Sequence, residues 1–308
     1  MSISDTESWI IFAKVADLGS FSEAARALGI GKATVSKTIS RLEAEVGITL
    51  FHRTSRAVSL TATGAALADD ARQLADFAEA LADRAREGSK TPSGIVKLAV
   101  PMSFGLRCLG DFVARFTGDY PDIELDIHLS DSKVDLIADG FDLGLRIADL
   151  PDSSLLARKI RDVMLHVVAS PGYLQQHGEP THPSELSRHT CLRYSLLPRP
   201  AAWRFRHRDL GEYFVEPHGP ILANNSDVLR ESVRGGIGIA IMPDFIVDDD
   251  LAQGTVRPIL TDWSPPAVAL HLVTPPGRLR PLRVKILIDR LLADLARVDG
   301  RDTASSSS

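Results

Sequence analysis

Cysteine is scarce in this sequence, and long apolar runs are missing. Only Cys108 and Cys191 occur among 308 residues, which excludes a disulfide framework and a paired-cysteine metal knuckle and favours a reducing compartment. No apolar run approaches the roughly 20 residues that a bilayer-spanning helix needs. Residues 1–10 also lack the basic and apolar regions of a secretory signal. We therefore expect a cytoplasmic protein that does not enter a membrane.

The short motifs of several enzyme classes are absent too. The sequence has no G-x-S-x-G elbow, phosphate-binding loop or H-E-x-x-H pair. Gly235 to Gly238 look like part of a dinucleotide-binding loop, but Ile241 stands at the third glycine position. The spacing of His177, His182, His189 and Cys191 matches no usual zinc site. We therefore expect no enzyme activity, no cofactor and no metal.

A broad excess of basic residues is also missing. The net charge is −5 and the isoelectric point is about 6.0, which excludes a protein that coats nucleic acid over its whole surface. Residues 31–60 are the exception, because they hold five basic residues against Glu43 and Glu45. The basic residues are Lys32, Lys37, Arg41, Arg53 and Arg56.

Length and composition predict several compact units. The 308 residues, 44% hydrophobic and 24% charged, suit two or three globular domains. Residues 1–60 place apolar side chains at three- and four-residue steps, as in a small helical domain. Residues 61–88 lack proline and repeat leucine every seven residues. They predict a long helix whose apolar face packs on a second copy of the chain or on its own domain.

Residues 89–93 read as a hinge, and residues 94–300 alternate short apolar strands with helical stretches. We predict strands at 95–100, 123–129, 141–147, 163–169, 221–223, 239–242 and 268–273. We predict helices at 104–116, 134–138, 228–233 and 279–296. Such alternation is typical of a largely parallel α/β sheet, built as one sheet or as two halves with a cleft. Residues 301–308 are expected to be disordered.

The segment from Phe21 to Ser40 solves a specific packing problem, the close and steep crossing of two helices. Ala25 allows the close approach, Gly29 lets the chain turn sharply, and Val35 is a stiff apolar plug. The remaining positions of the second helix are short hydroxyls and long cations, which suit base edges and phosphates in a major groove. Taken alone, the segment also fits an ordinary helical hairpin with a solvated face.

The flanking sequence removes that ambiguity. A-D-L-G-S-F-S-E-A-A leads into the motif, R-L-E-A-E-V-G-I-T-L-F-H-R follows it, and S-R-A-V-S-L-T-A-T-G comes next. With these segments the first 65 residues strongly resemble the LysR-type transcriptional regulators. P-D-I-E-L-D-I, D-G-F-D-L-G-L-R and G-G-I-G-I-A-I-M-P extend the resemblance more weakly over nearly the whole chain.

The resemblance implies an α+β multi-domain protein. Its parts would be an N-terminal winged helix-turn-helix, a long linker helix that pairs two chains, and a C-terminal α/β effector domain. That domain would have two subdomains folded like periplasmic binding proteins. A dimer with two recognition helices would need an inverted-repeat operator, and tetramers also occur among such regulators.

The resemblance also implies which residues contact DNA. L-F-H-R-T-S-R would be the wing, with Arg53 and Arg56 over the backbone or in the minor groove. Ser20, at the start of the first motif helix, would contact a phosphate through helix N-terminal amides. The expected DNA-contacting residues are Ser20, Lys32, Thr34, Ser36, Lys37, Arg41, Arg53 and Arg56.

A small-molecule effector in the cleft is implied as well, with carboxylates among the expected chemistries. Ser103 and Ser130 follow strands, and Asn225 and Ser226 open a helix, so these four are expected polar contacts. Helix capping is the alternative use of such side chains.

Arg146 ends a predicted strand among apolar neighbours. It would pair with an effector carboxylate or, equally, with a nearby acid such as Asp149. The expected partners are thus double-stranded DNA, a second copy of the chain, the effector and, for an activator, RNA polymerase. The rival class is a small-molecule receptor or enzyme whose N-terminal domain serves only for association.

Overall fold

Three helices and a two-stranded hairpin form the N-terminal unit. The structure is a computed structural model that describes residues 6–53, 58–85, 91–132, 134–148, 156–196, 202–276 and 280–298. The elements are α1 (Thr6–Leu18), α2 (Phe21–Leu28), α3 (Lys32–Val46), β1 (Phe51–Arg53) and β2 (Val58–Leu60). β1 and β2 pair antiparallel, with Arg53 opposite Val58.

The core of this unit is the one that the sequence predicts. Ala25 and Val35 are buried, as are Phe12 and Ile39, and full burial of one large apolar side chain stabilises by about 1.5–3 kcal/mol. Gly29 ends α2 with φ at +68°, a conformation that other residues rarely adopt. The predicted close crossing of α2 and α3 is confirmed.

The long helix α4 (Ala62–Ala85) starts tightly against the wing. The Thr61 hydroxyl accepts a hydrogen bond from the Gly64 amide at 2.9 Å, which caps the first turn. A Cβ on Gly64 would lie 2.1 Å from the Leu50 carbonyl oxygen, so only glycine fits this crossing without a shift.

The two halves of α4 differ in what they contact. Ala68 and Ala71 are buried in the N-terminal core, so this part of the helix docks on its own domain. Further along, the side chains of Phe77 and Leu81 are exposed by 51% and 52%. The first part of α4 therefore follows the own-domain alternative, and packing of the second part on another copy of the chain stays a prediction.

The remaining elements form an α/β unit. In chain order they are β3 (Gly94–Val100), α5 (Met102–Phe104), a π-helical turn (Gly105–Leu109), α6 (Gly110–Asp119), β4 (Ile123–Leu129), β5 (Leu143–Ala148), β6 (Leu156–Val163), β7 (Leu165–Ala169), α7 (Pro171–His177), a 3₁₀ helix (Pro183–Arg188), β8 (Cys191–Tyr194), β9 (Trp203–His207), β10 (Gly211–Val215), β11 (Leu222–Ala223), α8 (Ser226–Arg234), β12 (Ile239–Pro243), α9 (Asp244–Gln253), β13 (Arg257–Ile259), β14 (Trp263–Ser264), β15 (Val268–Thr274) and α10 (Leu282–Val298).

Two five-stranded sheets divide this unit into halves. The first sheet has the order β4-β3-β5-β15-β6 and the second has β11-β8-β12-β7-β13. The first half takes β3–β6, β15, α5, α6 and α10, and the second half takes β7–β14 with α7–α9. Of the two arrangements that the sequence left open, two halves is the correct one.

The expectation of a largely parallel sheet is wrong for part of each half. β3 runs parallel to β4 and β5, and β8 runs parallel to β11 and β12. In contrast, β15 is antiparallel to β5 and β6, and β7 is antiparallel to β12 and β13. The chain leaves the first half after β6 and returns only with β15, which enters its sheet from the opposite direction.

The predicted helix at 134–138 is also wrong, because the chain makes a turn there. The Asp135 carboxylate accepts the amides of Ile137 at 3.1 Å and Ala138 at 3.2 Å, which offers the backbone an alternative to a helix. Gly140 then adopts φ of +69°. The strand predicted at 163–169 is likewise two strands, β6 and β7, with Met164 between them.

The helices of the described residues are short or amphipathic. None of them is long and apolar enough to cross a membrane.

Candidate DNA-binding surface and effector cleft

The α3 helix has one buried face and one exposed face. Val35 and Ile39 are fully buried in the core of the N-terminal unit. Lys32, Thr34 and Lys37, on other faces of the same helix, are exposed. Ser36 is half-buried and Ser40 is exposed. Most of the predicted cations and hydroxyls of α3 are therefore exposed on a helix that the core holds in place, with Ser36 the half-buried exception.

Arg41 is exposed but engaged within the chain. Its guanidinium donates to the buried Ser8 hydroxyl at 3.2 Å and lies 3.9 Å from the Glu45 carboxylate. These contacts hold the cation at the junction of α1 and α3, and its predicted DNA contact stays a prediction.

Ser20 is the N-terminal cap of α2. Its side-chain oxygen accepts the Glu23 amide at 3.3 Å, which satisfies one of the amides that a helix start leaves free. The hydroxyl proton is still available for donation. The structure thus gives Ser20 a local role, and the predicted phosphate contact stays a prediction.

The wing is tied to α3 by one side chain. A single carboxylate oxygen of Glu43 accepts the Leu50 amide at 2.8 Å and the Phe51 amide at 3.2 Å. Phe51 is buried and its ring packs edge-on against Phe12. Arg53 ends β1, and Arg56 lies outside the described residues. The first strand of the wing is therefore fixed relative to α3.

In the α/β unit, polar groups of the two halves meet where β3 and β4 end and where α8 begins. The residues that contribute them, Met102 through its backbone amide and the others through their side chains, are called the cleft residues: Met102, Ser103, Arg107, Asp131, Asn225 and Asp227. Ser103 is buried at the start of α5. The Asp131 carboxylate accepts the Met102 amide at 2.9 Å. Asn225 caps α8, because its side-chain oxygen accepts the Asp227 amide at 3.0 Å.

Hydrogen bonds between the cleft residues cross from one half to the other. The Ser103 hydroxyl donates to Asp227 Oδ2 at 2.6 Å, and Arg107 Nε donates to Asp227 Oδ1 at 3.0 Å. A terminal nitrogen of Arg107 also donates to Asp227 Oδ1. The Asn225 amide nitrogen donates to Ser103 Oγ at 3.3 Å and to Asp131 Oδ2 at 2.9 Å.

Burial, hydrogen bonds and neighbouring charges shift the pKa values of two groups in the cleft. Burial tends to raise the pKa of Asp227, but hydrogen bonds from Ser103 and Arg107 outweigh it and hold the pKa below its ordinary value. Burial, with the nearby Asp131 carboxylate, raises the pKa of Tyr194 at the end of β8 to about 12. Asp227 is therefore a charged carboxylate, and Tyr194 a neutral donor close to Asp131.

The structure brings Ser103 and Asn225 together, whereas two other predicted effector contacts, Arg146 and Ser130, make hydrogen bonds to near neighbours in the chain. Arg146 donates to the Val134 carbonyl at 2.6 Å, and the alternative partner Asp149 lies outside the described residues. The Ser130 hydroxyl accepts the Ser132 amide at 3.2 Å in a local turn. Ser226 is the first residue of α8.

The effector contacts predicted from the sequence do not include three of the cleft residues, Arg107, Asp131 and Asp227. Two of them adjoin selected positions, since Asp131 follows Ser130 and Asp227 lies two residues after Asn225. That adjacency was an available signal. Arg107 has no comparable signal in the sequence.

Neither cysteine is set up as a reactive thiolate. Burial raises the pKa of Cys108, and it raises the pKa of Cys191 to about 12. The neighbouring arginines, Arg107 for Cys108 and Arg193 for Cys191, favour the thiolate but do not outweigh burial. In the described part of the chain, no group of three or more His, Cys, Asp or Glu side chains is placed to hold a metal ion.

A pocket of about 730 Å³ opens at the other end of α8, beside Arg234 and Gly236. It includes none of the cleft residues. The polar groups that converge from both halves lie in the cleft and not in this pocket.

Comparisons with known proteins match the N-terminal helical unit and the C-terminal α/β unit to separate family models. Residues 7–65 match the family model for the bacterial regulatory helix-turn-helix protein of the lysR family, and residues 89–296 match the LysR substrate binding domain. The chain belongs to the LysR family of bacterial transcription regulators. It carries an N-terminal helix-turn-helix and a C-terminal effector-binding domain of that family.

Relatives of this LysR-type regulator align over almost its full length. An HTH-type transcriptional regulator of Xanthomonas campestris pv. campestris is 34% identical over 296 residues, covering 94% of this chain and 86% of the relative. CrgA of Neisseria meningitidis is 31% identical over 292 residues, covering 94% and 97%. These relatives are named as regulators of transcription, not as enzymes.

Solved structures of full-length members show the same architecture. CrgA, a LysR-type transcriptional regulator from Neisseria meningitidis, superposes with a TM-score of 0.60 at 31% identity, covering 94% of this chain and 99% of CrgA. The Vibrio cholerae virulence activator AphB gives 0.60 at 26% identity, covering 94% and 99%. A full-length OxyR variant of Pseudomonas aeruginosa gives 0.70 at 16% identity, covering 97% and 96%, and shows the fold alone.

Proposed function

We propose that this LysR-type regulator binds an inverted-repeat operator as a dimer or tetramer, and that a small molecule in the cleft modulates its activity. The division into residues 1–60, 61–88, 89–93 and 94–300 is part of the proposal. RNA polymerase is a further partner if the regulator is an activator, and a cytoplasmic location stays a prediction.

The single observation that carries DNA binding is the two-faced α3 helix. Val35 and Ile39 anchor one face in the core, while Lys32, Thr34 and Lys37 lie exposed. A helix of this kind docks in a major groove, where cations contact phosphates and short polar side chains contact base edges. We assign Ser20, Arg41, Arg53 and Arg56 to the DNA backbone, and Thr34 and Ser36 to base edges.

Self-association is supported by α4. The exposed Phe77 and Leu81 lie four residues apart, on one side of the helix. A second α4 running alongside would bury both. Two copies would then present two α3 helices to a two-fold symmetric site.

The effector site is supported by the cleft. Ser103, Asn225 and their neighbours bring hydroxyl, amide, guanidinium and carboxylate groups from both halves to one place. We assign Ser103, Ser130, Asn225 and Ser226 as polar contacts. Arg146 is a second choice for an effector carboxylate, because it already donates to the Val134 carbonyl.

A mobility-shift assay on the DNA upstream of the chain's own gene tests the proposal. The full-length protein should retain this DNA, and unlabelled fragment should compete while a scrambled fragment of equal length should not. The retained complex should contain two or four chains. Equal competition by both fragments would reject a sequence-specific regulator.

A further inference from the structure

The carboxylate of Asp227 occupies a position that suits a separate carboxylate ligand. Its Oδ2 accepts from the Ser103 hydroxyl at 2.6 Å, and its Oδ1 accepts from the Arg107 guanidinium. A hydroxyl and a guanidinium that contact both oxygens are what a free carboxylate selects in a binding site. Both donors come from the first half, whereas Asp227 comes from the second half.

We infer that Ser103 and Arg107 form a carboxylate-binding site that the chain's own Asp227 fills, and that a carboxylate effector binds there by displacing Asp227. This inference rests on the proposed effector function of the cleft. It names the chemistry of one end of the ligand, a planar carboxylate group, and it makes Asp227 an internal competitor of that ligand.

The donors are oriented before any ligand arrives. The Asn225 amide donates to Ser103 Oγ at 3.3 Å, so the Ser103 hydroxyl accepts from one side and directs its proton to the carboxylate on the other. Asn225 is itself held by Asp131 at 2.9 Å, and Asp131 accepts the Met102 amide. Ser103 therefore keeps its donor direction when one carboxylate is exchanged for another.

The exposure of the Arg107–Asp227 ion pair distinguishes it from a buried ion pair that α8 makes with α9. The Arg107 and Asp227 side chains are 25% and 32% exposed. In the Arg230–Asp250 pair, which joins α8 to α9 within the second half, the values are 16% and 1%. Water already reaches the first pair, so a dissolved anion can compete there, whereas the second pair is structural.

Displaced Asp227 has a favourable alternative environment. It lies in the first turn of α8, whose cap is Asn225, and the N-terminal end of a helix stabilises a negative charge. The carboxylate can therefore turn to solvent at low cost. Exchange would also separate α8 from Arg107, and it would thereby change the contact between the halves.

Two further contacts keep the halves together during the exchange. The ring of Phe104, beside Ser103, packs edge-on against Phe245 of α9, and Arg161 at the end of β6 lies 3.2 Å from Asp244. Neither contact involves Asp227, so removal of the Arg107 ion pair alone should leave the domain folded.

Acetate and thermal unfolding of the full-length protein provide the test. The Asp227→Ala variant vacates the site, so sodium acetate should raise its Tm saturably by a few degrees beyond sodium chloride at equal ionic strength. Wild-type protein should need an at least tenfold higher acetate concentration to reach the same rise in Tm. Asp227→Asn keeps the side-chain volume and should respond between the two.

Two controls test whether the acetate response requires the site formed by Ser103 and Arg107, or whether any arginine that has lost its acidic partner gives it. Adding Arg107→Ala to Asp227→Ala should abolish the acetate response. Glu212→Ala leaves Arg204 without its exposed partner, but that pair lies within one hairpin, and no acetate response should appear. An Asp227→Ala protein that responds like wild type, or a response that survives Arg107→Ala, would overturn the inference.

This readout does not depend on DNA. If the wild-type protein retains its operator while Asp227→Ala gains no acetate response, the inference fails and the regulator proposal stands. If acetate raises the Tm of Asp227→Ala as expected but the wild-type protein retains no operator DNA, the regulator proposal fails and the anion site stands.

Discussion

Glu43 of α3 accepts hydrogen bonds from the backbone amides of Leu50 and Phe51, at 2.8 and 3.2 Å. One carboxylate therefore sets the wing strand β1 relative to the helix that we assign to the major groove. Both amides would lose their acceptor if the carboxylate were removed, and an unmade hydrogen bond of a part-buried group is costly.

We predict that Glu43→Ala lowers the free energy of unfolding by about 1–3 kcal/mol. Urea unfolding measured by circular dichroism checks this value. Glu45→Ala, two positions along and 45% exposed at the side chain, is the control and should change stability by less than about 0.5 kcal/mol. Equal effects of the two substitutions would show that Glu43 does not hold the wing.

A second prediction concerns the crossing of α4 over the wing. Gly64→Ala places a Cβ 2.1 Å from the Leu50 carbonyl oxygen, so the backbone must shift, and we expect stability to fall by about 1–3 kcal/mol. Gly118→Ala in α6 meets nothing within 4 Å and should be neutral or stabilising by up to about 1 kcal/mol. Thermal unfolding of both variants distinguishes close approach from helix propensity, since propensity alone favours alanine at both positions.

The third prediction tests the role of the exposed face of α4. Phe77→Glu combined with Leu81→Glu places two charges where a second helix would pack, so the dimer dissociation constant should rise at least tenfold, about 1.4 kcal/mol. Analytical ultracentrifugation gives the constant. Leu210→Glu alters an apolar residue of similar exposure, 67%, in the turn between β9 and β10. If it weakens self-association as much, the dimer interface is not on α4.

The fourth prediction is a pH dependence at the junction of α1, α4 and the first half. Burial chiefly, with the acids Asp142, Glu79 and Asp17, raises the pKa of Asp76 from 3.8 to about 7, and Arg283 opposes the shift. Arg72, which lies 2.5 Å from both Asp17 and Asp69, and Lys97, which acts on Asp142, are further charged groups at this junction. Burial also raises the pKa of Asp142.

The sign follows from proton linkage. The folded state binds the Asp76 proton more tightly than the unfolded state, so this stabilisation is complete below about pH 4 and is lost as the pH rises towards about 7. In urea unfolding measured between pH 4 and pH 8, Asp76→Asn should reduce the dependence of the free energy of unfolding on pH. At pH 8 the variant should be more stable than the wild-type protein. The exposed Asp70→Asn is the control. A profile that keeps its slope in Asp76→Asn would contradict the prediction.

The parts of the fold that the sequence predicts correctly depend on near neighbours in the chain. Ala25, Gly29 and Val35 lie within eleven positions, and their spacing alone indicates the crossing of α2 and α3. The prediction from the sequence does not include the three-stranded sheet of β9, β10 and β14, although buried Trp203 and Phe205 alternate with exposed arginines and Gly211 turns with φ of +78°. Its third strand, Trp263–Ser264, is too short to show a pattern.

The cleft shows why the rest was out of reach. Arg107 and Asp227 are 120 positions apart, and no local rule pairs one arginine of a helix with one aspartate of another. Ser103 and Asn225 are predictable because both adjoin a predicted helix start, where polar side chains are common. Their contact with each other depends on how the two halves dock, which periodicity does not encode.

The salt dependence of operator binding for Lys37→Ala, compared with Lys285→Ala, tests the central claim most directly. Both lysines are exposed, one on α3 and one on α10, so each substitution removes one charge from the surface. If α3 lies in the major groove, Lys37→Ala should weaken binding and reduce the slope of log K against log salt by about 1, because one phosphate is no longer neutralised, while Lys285→Ala should leave both unchanged. Equal slopes for the two variants would contradict the assignment of α3 as the DNA-reading helix.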